Sequence, residues 1–226
     1  MSINHQNQSS MSRRERERAR QKRKKIWLTE PPLDLRAFYR DALGVKGDDV
    51  VELLVKNTRC VYRNKGEVYA HAGEPVSVVR FVITGVSRGY VLGDEGEDNV
   101  LSFGYRYGEP VIGASCLSGK TDLFLEAVTD MELLEIPATV VKQGILMEFS
   151  NALVYEKLLA DARKKQMKIQ IALNTLDGED RYRWFLEEYK DIAGIVPQNF
   201  VASFLGIQPQ SLSRIKRQMK AKVATE

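Results

Sequence analysis

The densest group of side chains able to make specific contacts lies near the C-terminus, in VPQNFVASFLGIQPQSLSRIKRQ. Counting from Gln198 as position one, apolar residues stand at Val201, Leu205, Ile207, Leu212 and Ile215, with small Ala202 and Gly206 between them. Two helices crossing steeply over a short turn need this set: a small residue at the crossing, a glycine free to take positive φ, and apolar anchors on both inner faces. Pro209 stands where a first helical residue belongs, since its fixed φ and missing N–H cost nothing there. The spacing predicts a helix-turn-helix whose second helix runs from about Pro209 to Met219. Arg214, Lys216, Arg217 and Lys220 make that helix basic, as a helix meeting phosphates should be. Gln210, Ser211 and Arg214 project away from the Leu212 and Ile215 anchors; Arg214 suits a bidentate contact with guanine and Gln210 one with adenine. Gln198, Gln208, Ser213, Arg217 and Lys220 complete the expected contacts with double-stranded DNA.

Gly113-Ala-Ser-Cys-Leu-Ser-Gly119-Lys120-Thr121 looks like a phosphate-cradling nucleotide loop, but five residues separate its glycines where four are needed. The strand-like run LFLEAV follows, so no helix N-terminus is available for a phosphate, and a nucleoside triphosphatase is excluded. Cys60 and Cys116 are the only cysteines and His5 and His71 the only histidines. Too few ligands remain for a metal site, and buried thiols with a satisfied imidazole are expected rather than haem or an iron-sulfur cluster. No nucleophile–base pair is discernible, so the chain is read as a non-enzyme.

Positioning these residues falls to a chain of 226 residues, 43% apolar and 28% charged, typical of a water-soluble globular protein. No uncharged apolar run approaches the roughly 18 residues of a membrane span, and no secretory signal precedes the body, so a cytoplasmic location without membrane contact is expected. The net charge of +4 is uneven: residues 1–25 carry +7 and residues 198–226 carry +4, leaving −7 on the rest. Basic ends on an acidic body point to the ends as the parts that meet a polyanion. Residues 1–29 read as a disordered basic arm, either gripping phosphates or merely solvated, and Met11 is an alternative start.

Residues 30–148 should form one effector domain. A short helical pattern runs from about Leu33 to Leu54, and then the period changes. Between 58 and 137 the runs CVYR, SVVRFVITG, RGYVLG, VLSFGYRY and LFLEAV are bounded by Gly, Pro, Asp or Asn, as in an antiparallel barrel or sandwich. From Phe149 to Leu176 a helical seam passes through Tyr155, Leu158, Ala162, Lys165, Ile169, Ala172 and Leu176. Tyr155, Leu158, Ala162, Ile169 and Ala172 are expected to pair with a second copy of the chain. Lys165 interrupts the seam, either facing its own symmetry mate or turning to water beside Arg163, Lys164 and Lys168. Asp177 is placed to cap a new helix, and residues 177–226 should form the DNA-binding domain.

Together these features resemble the Crp/Fnr family of bacterial transcription regulators over nearly all of residues 30 to 222. The resemblance rests on Lys65-Gly66-Glu67, Ala72-Gly73-Glu74-Pro75, Phe81 to Gly85, Gly108-Glu109 with Ile112-Gly113, Ala127 to Asp130, and Leu133 to Pro137. It implies an α+β chain: an N-terminal jelly-roll-like antiparallel β-roll of the cyclic-nucleotide-binding type, a long dimerisation helix, and a C-terminal all-α helix-turn-helix domain without a following wing. It also implies RNA polymerase as a partner and an effector pocket near Gly108, Glu109, Gly113, Ala114, Ser115, Lys120 and Thr121. Cyclic-nucleotide receptors of this family place a Glu after the second glycine of the phosphate cassette and an Arg further on. Here those places hold Ala114 and about Thr121, and Lys120 replaces the lost charge only in part. Cyclic AMP is therefore disfavoured, and the effector stays unnamed. The competing reading is a ligand-binding sensor that acts through protein contacts, without specific DNA recognition.

Overall fold

The computed structural model describes residues 34–114 and 116–223, and the elements below belong to one compact unit, Arg36–Glu226. The basic arm and Ser115 lie outside the described residues. A π-helical turn, Phe38–Ala42, precedes helix α1, Asp48–Asn57. Seven strands follow: β1 Arg59–Arg63, β2 Val68–Ala70, β3 Val78–Thr84, β4 Ser87–Leu92, β5 Asp98–Gly104, β6 Phe124–Ala127 and β7 Met131–Pro137. They form two antiparallel sheets, ordered β1-β7-β3 and β2-β6-β4-β5. After Pro137 the chain is helical: α2 Ala138–Met147, α3 Asn151–Thr175, α4 Gly178–Glu188, α5 Gln198–Phe204 and α6 Pro209–Val223. The class is α+β, with an antiparallel roll, a long helix and a helical C-terminal part.

Strand alternation fills the roll from within: Val82, Ala127, Met131 and Leu133 are fully buried and Val61 packs against them. Gly85 joins β3 to β4 at φ 89°, where a Cβ would lie 2.3 Å from that of Met131, so only glycine makes this corner. Cys60 departs from expectation. It and Cys116 are both exposed, because Cys60 sits on the outward side of edge strand β1 and Cys116 in the loop before β6.

Helix α3 begins two residues later than its sequence pattern suggests. Asn151 is buried there; its side chain accepts from the Lys46 N–H at 2.8 Å and donates to the Lys46 carbonyl at 3.0 Å. The seam expected to meet a second copy faces the chain itself. Ile169 and Ala172 are 2% and 4% exposed, and Ile169 belongs to a core shared with the C-terminal helices. Lys165 takes neither expected course, turning inward to donate to the Phe103 carbonyl at 2.6 Å and to pair with Glu109. The outward side instead carries Leu153, Met167 and Ile171 at 68%, 64% and 56% exposure, continuing Leu146 and Phe149 just before the helix. Among the described residues, no helix is long and apolar enough to cross a membrane.

Candidate nucleic-acid interface and effector groove

Asp177 opens the C-terminal part by accepting the Asp180 N–H at 3.0 Å, with Glu179 and Asp180 in the first turn of α4 where the helix dipole favours acids. Tyr182 and Phe185 turn the helix inward. Helices α5 and α6 cross on Val201, Ala202, Leu205, Leu212 and Ile215, all buried. Gly206 makes the turn at φ 63°, a conformation other residues reach with strain. Arg181, which the sequence reading passes over, ties this turn to α4: its Nε donates to the Leu176 carbonyl at 2.9 Å and its Nη1 to the Leu205 carbonyl at 3.1 Å.

This core sets the outer surface. Gln210, Ser213, Arg214 and Arg217, spaced three and four apart, are exposed on the side of α6 away from Leu212 and Ile215. Ser211 is half-buried beside the anchors, and the Ser213 hydroxyl donates back to the Pro209 carbonyl at 3.1 Å. Gln208, just before the helix, and Gln198, first in α5, are exposed; Lys220 lies on α6. Helix α6 extends to Val223, past the Met219 end read from the sequence.

Helix α5 is held against edge strand β5. The Ser203 hydroxyl accepts the Val100 N–H at 2.9 Å and donates to the Asp98 carbonyl at 2.7 Å, pairing backbone groups that an edge strand leaves open. Beside it, the Phe200 ring lies 3.7 Å from the guanidinium carbon of Arg88, whose other face is 4.2 Å from the Tyr90 ring. Arg88 is only 3% exposed and pairs with Glu126 and Asp98. Phe103, Phe185, Tyr189 and Phe204 close an aromatic core between β5 and the C-terminal helices. Nothing in the spacing of Arg88, Phe200 or Ser203 along the sequence announces this contact.

A groove of about 900 Å³ lies between the roll and α3, lined by Gly89, Ser102, Gly113, Ala114, Leu158 and Ala162 among others. Gly108 and Glu109 line it too, but Glu109 is engaged: one carboxylate oxygen accepts the Tyr105 N–H at 3.0 Å and the Arg106 N–H at 3.1 Å, and the other meets Lys165. Lys120 and Thr121 are not among its lining residues. The Thr121 N–H donates to the Glu74 carbonyl at 2.8 Å, the Gly73 N–H to the Thr121 carbonyl at 2.7 Å, and the Asp122 N–H to the Gly113 carbonyl at 2.6 Å. The segment is thus stitched to residues 73–76 instead of presenting amides to a phosphate. With Ala114 at the ribose position and no arginine after it, the residues present do not fit a cyclic nucleotide. Among the described residues, no three His, Cys, Asp or Glu side chains gather to hold a metal. His71 faces Glu74 at 3.5 Å.

No protein-family model matches the sequence, and no curated protein does. Solved structures do. FixK2 from Bradyrhizobium japonicum superposes with a TM-score of 0.63 at 19% identity, over 73% of this chain and 85% of that one. The c-di-GMP-responsive global regulator CLP from Xanthomonas campestris gives 0.60 at 18%, over 78% and 93%. A transcriptional regulator of the Crp/Fnr family from Eubacterium rectale gives 0.63 at 20%, over 78% and 85%. The described chain shares the fold of these regulators.

Proposed function

We propose that this chain, built on the fold of the Crp/Fnr transcriptional regulators, is itself a transcriptional regulator that binds double-stranded DNA sequence-specifically as a homodimer. The observation that carries the reading is the outward face of α6, where Gln210, Ser213, Arg214 and Arg217 are exposed while Leu212 and Ile215 anchor the opposite side. Such a helix enters a major groove with its base-reading side chains foremost. The second copy is supplied through the outward face of α3, by Leu153, Met167 and Ile171 with Leu146 and Phe149, in place of the inward seam. The effector is a small molecule other than cyclic AMP, because neither Ala114 nor Thr121 replaces the acid and the arginine that a cyclic nucleotide needs.

Two copies of α6 related by a dimer axis meet half-sites about 34 to 36 Å apart, so the operator is an inverted repeat spaced by one helical turn. Footprinting on genomic DNA, followed by salt-dependent gel shifts, tests this. Arg214→Ala is expected to cost about 1 to 3 kcal/mol on the operator and to relax preference at one symmetric base position. Arg217→Ala weakens operator and random DNA alike and flattens the salt slope, because phosphates carry no sequence. Equal losses on both DNAs for Arg214→Ala overturn its assignment as a base reader. Absence of any footprint favours a sensor acting through protein contacts.

A further inference from the structure

Behind the groove, on the other side of residues 110–114, lies a second cavity of about 150 Å³ between α1, α2, the first turns of α3 and the edge of β3. Its walls include Leu54, Phe81, Ile112, Val141, Ile145 and Val154. Protein interiors close-pack and leave few voids larger than a water molecule, so an apolar space of this size between three helices and a sheet is unusual. It exists partly because Gly144 brings α2 against α1: a Cβ there would stand 3.0 Å from Val50 Cγ1, which holds Val141 and Ile145 apart from the sheet on the same helix.

The polar side chains around this space are directed to protein partners. The Tyr39 hydroxyl shares a hydrogen bond with Thr58 at 2.6 Å, and both polar atoms of the Asn151 amide serve the Lys46 backbone. Arg80 donates to Glu135 at 2.8 Å and to the Tyr69 carbonyl at 3.3 Å. An anion placed here would find its nearest guanidinium already paired, and a water would find few of the two to four partners it needs. In another protein, a cavity of about 150 Å³ lined by Leu, Ile and Phe stays dry and takes up benzene.

We propose that this cavity is a binding site for a small, uncharged, apolar molecule about the size of a single aromatic ring, separate from the groove above the phosphate-cassette segment. The site holds whether or not the chain binds DNA. Val154 and Leu158 stand on the wall that both spaces share, so an occupant touches the inner side of α3 directly.

The test uses the full chain with benzene as probe, benzoate as its charged counterpart, and cyclic AMP as occupant of the groove. Benzene is expected to raise the thermal midpoint saturably, benzoate to leave it unchanged, and cyclic AMP not to compete. In methyl spectra of the unmodified protein, benzene should shift Val141 and Ile145, which line only the cavity, and leave Leu101 and Leu123, which line only the groove. Val141→Phe and Ile145→Phe, each filling the space, should weaken benzene at least tenfold; if either fails to fold, the methyl shifts still decide. No saturable response to benzene overturns the proposal. So do benzoate binding as well as benzene, shifts confined to Leu101 and Leu123, or folded filling variants that bind benzene unchanged.

Discussion

Glu135 shows how a single buried carboxylate makes the roll sensitive to acid. Burial alone pushes its pKa up, but hydrogen bonds and charge from Arg80 and Arg63 outweigh that, and the net result lies below the ordinary glutamate value of 4.5. A carboxylate whose folded pKa is depressed stabilises the fold above its unfolded value and loses that contribution as pH falls through the folded one. The roll should therefore lose stability progressively below about pH 4.5. Glu135→Gln should cost about 2 kcal/mol at pH 7, by stranding two guanidinium groups, and should flatten the acid limb of the stability curve. Urea unfolding between pH 3 and 7 measures both; an unaltered acid limb in the variant would locate the sensitivity elsewhere. Burial likewise raises the Tyr39 hydroxyl to about 12, against the lowering effect of its hydrogen bond to Thr58.

Helix α3 has two apolar faces, and they do different work. The inner one, with Ile169 and Ala172, joins the core that spans the roll and the C-terminal helices. The outer one, from Leu146 and Phe149 through Leu153 to Met167 and Ile171, is open to solvent in the single chain. A helix of 25 residues with an exposed apolar stripe gains most by pairing with a copy of itself. Leu153→Asp should thus yield a folded monomer in sedimentation, with its melting curve independent of concentration. Ile169→Asp should instead destabilise each chain by 3 kcal/mol or so, since it buries a charge without a partner. Were Leu153→Asp to remain dimeric, the outer stripe would not be the interface.

At the scale of the molecule, the C-terminal helices are fastened to the roll. Ser203 completes the edge of β5, Phe200 stacks on Arg88, and Lys165 joins α3 to Phe103 and Glu109. These contacts couple the roll and the helix-turn-helix, so a change in the roll is felt where α5 is seated. Ser203→Ala removes the acceptor for the Val100 N–H, at a cost of about 1 kcal/mol. Hydrogen exchange at Val100 should accelerate severalfold, with far smaller changes on the opposite sheet, for example at Leu133. Uniform acceleration across both sheets would mean that the contact stabilises the whole chain and not the edge alone.

Local patterns were enough to read much of this. Alternation and turn residues marked most strands of the roll, though short β2 went unnoticed among the runs. The anchors Val201, Leu205, Leu212 and Ile215 with Gly206 and Pro209 marked the helix-turn-helix, because a tight crossing admits few residue types at fixed spacing. The outward position of Gln210, Arg214 and Arg217 followed from those anchors. Periodicity also located the long helix, but not which apolar face lies inside: a helical repeat shows that residues share a face, while only the roll and α4 packed against it turn Ile169 inward and Leu153 outward. Alternation on β1 equally failed to say that Cys60 points out, since an edge strand has no neighbour on one side. Arg88 with Phe200, Ser203 with Val100, and the cavity behind residues 110–114 join residues from distant parts of the chain. No spacing in one dimension encodes such pairings, so the tertiary structure alone decided them.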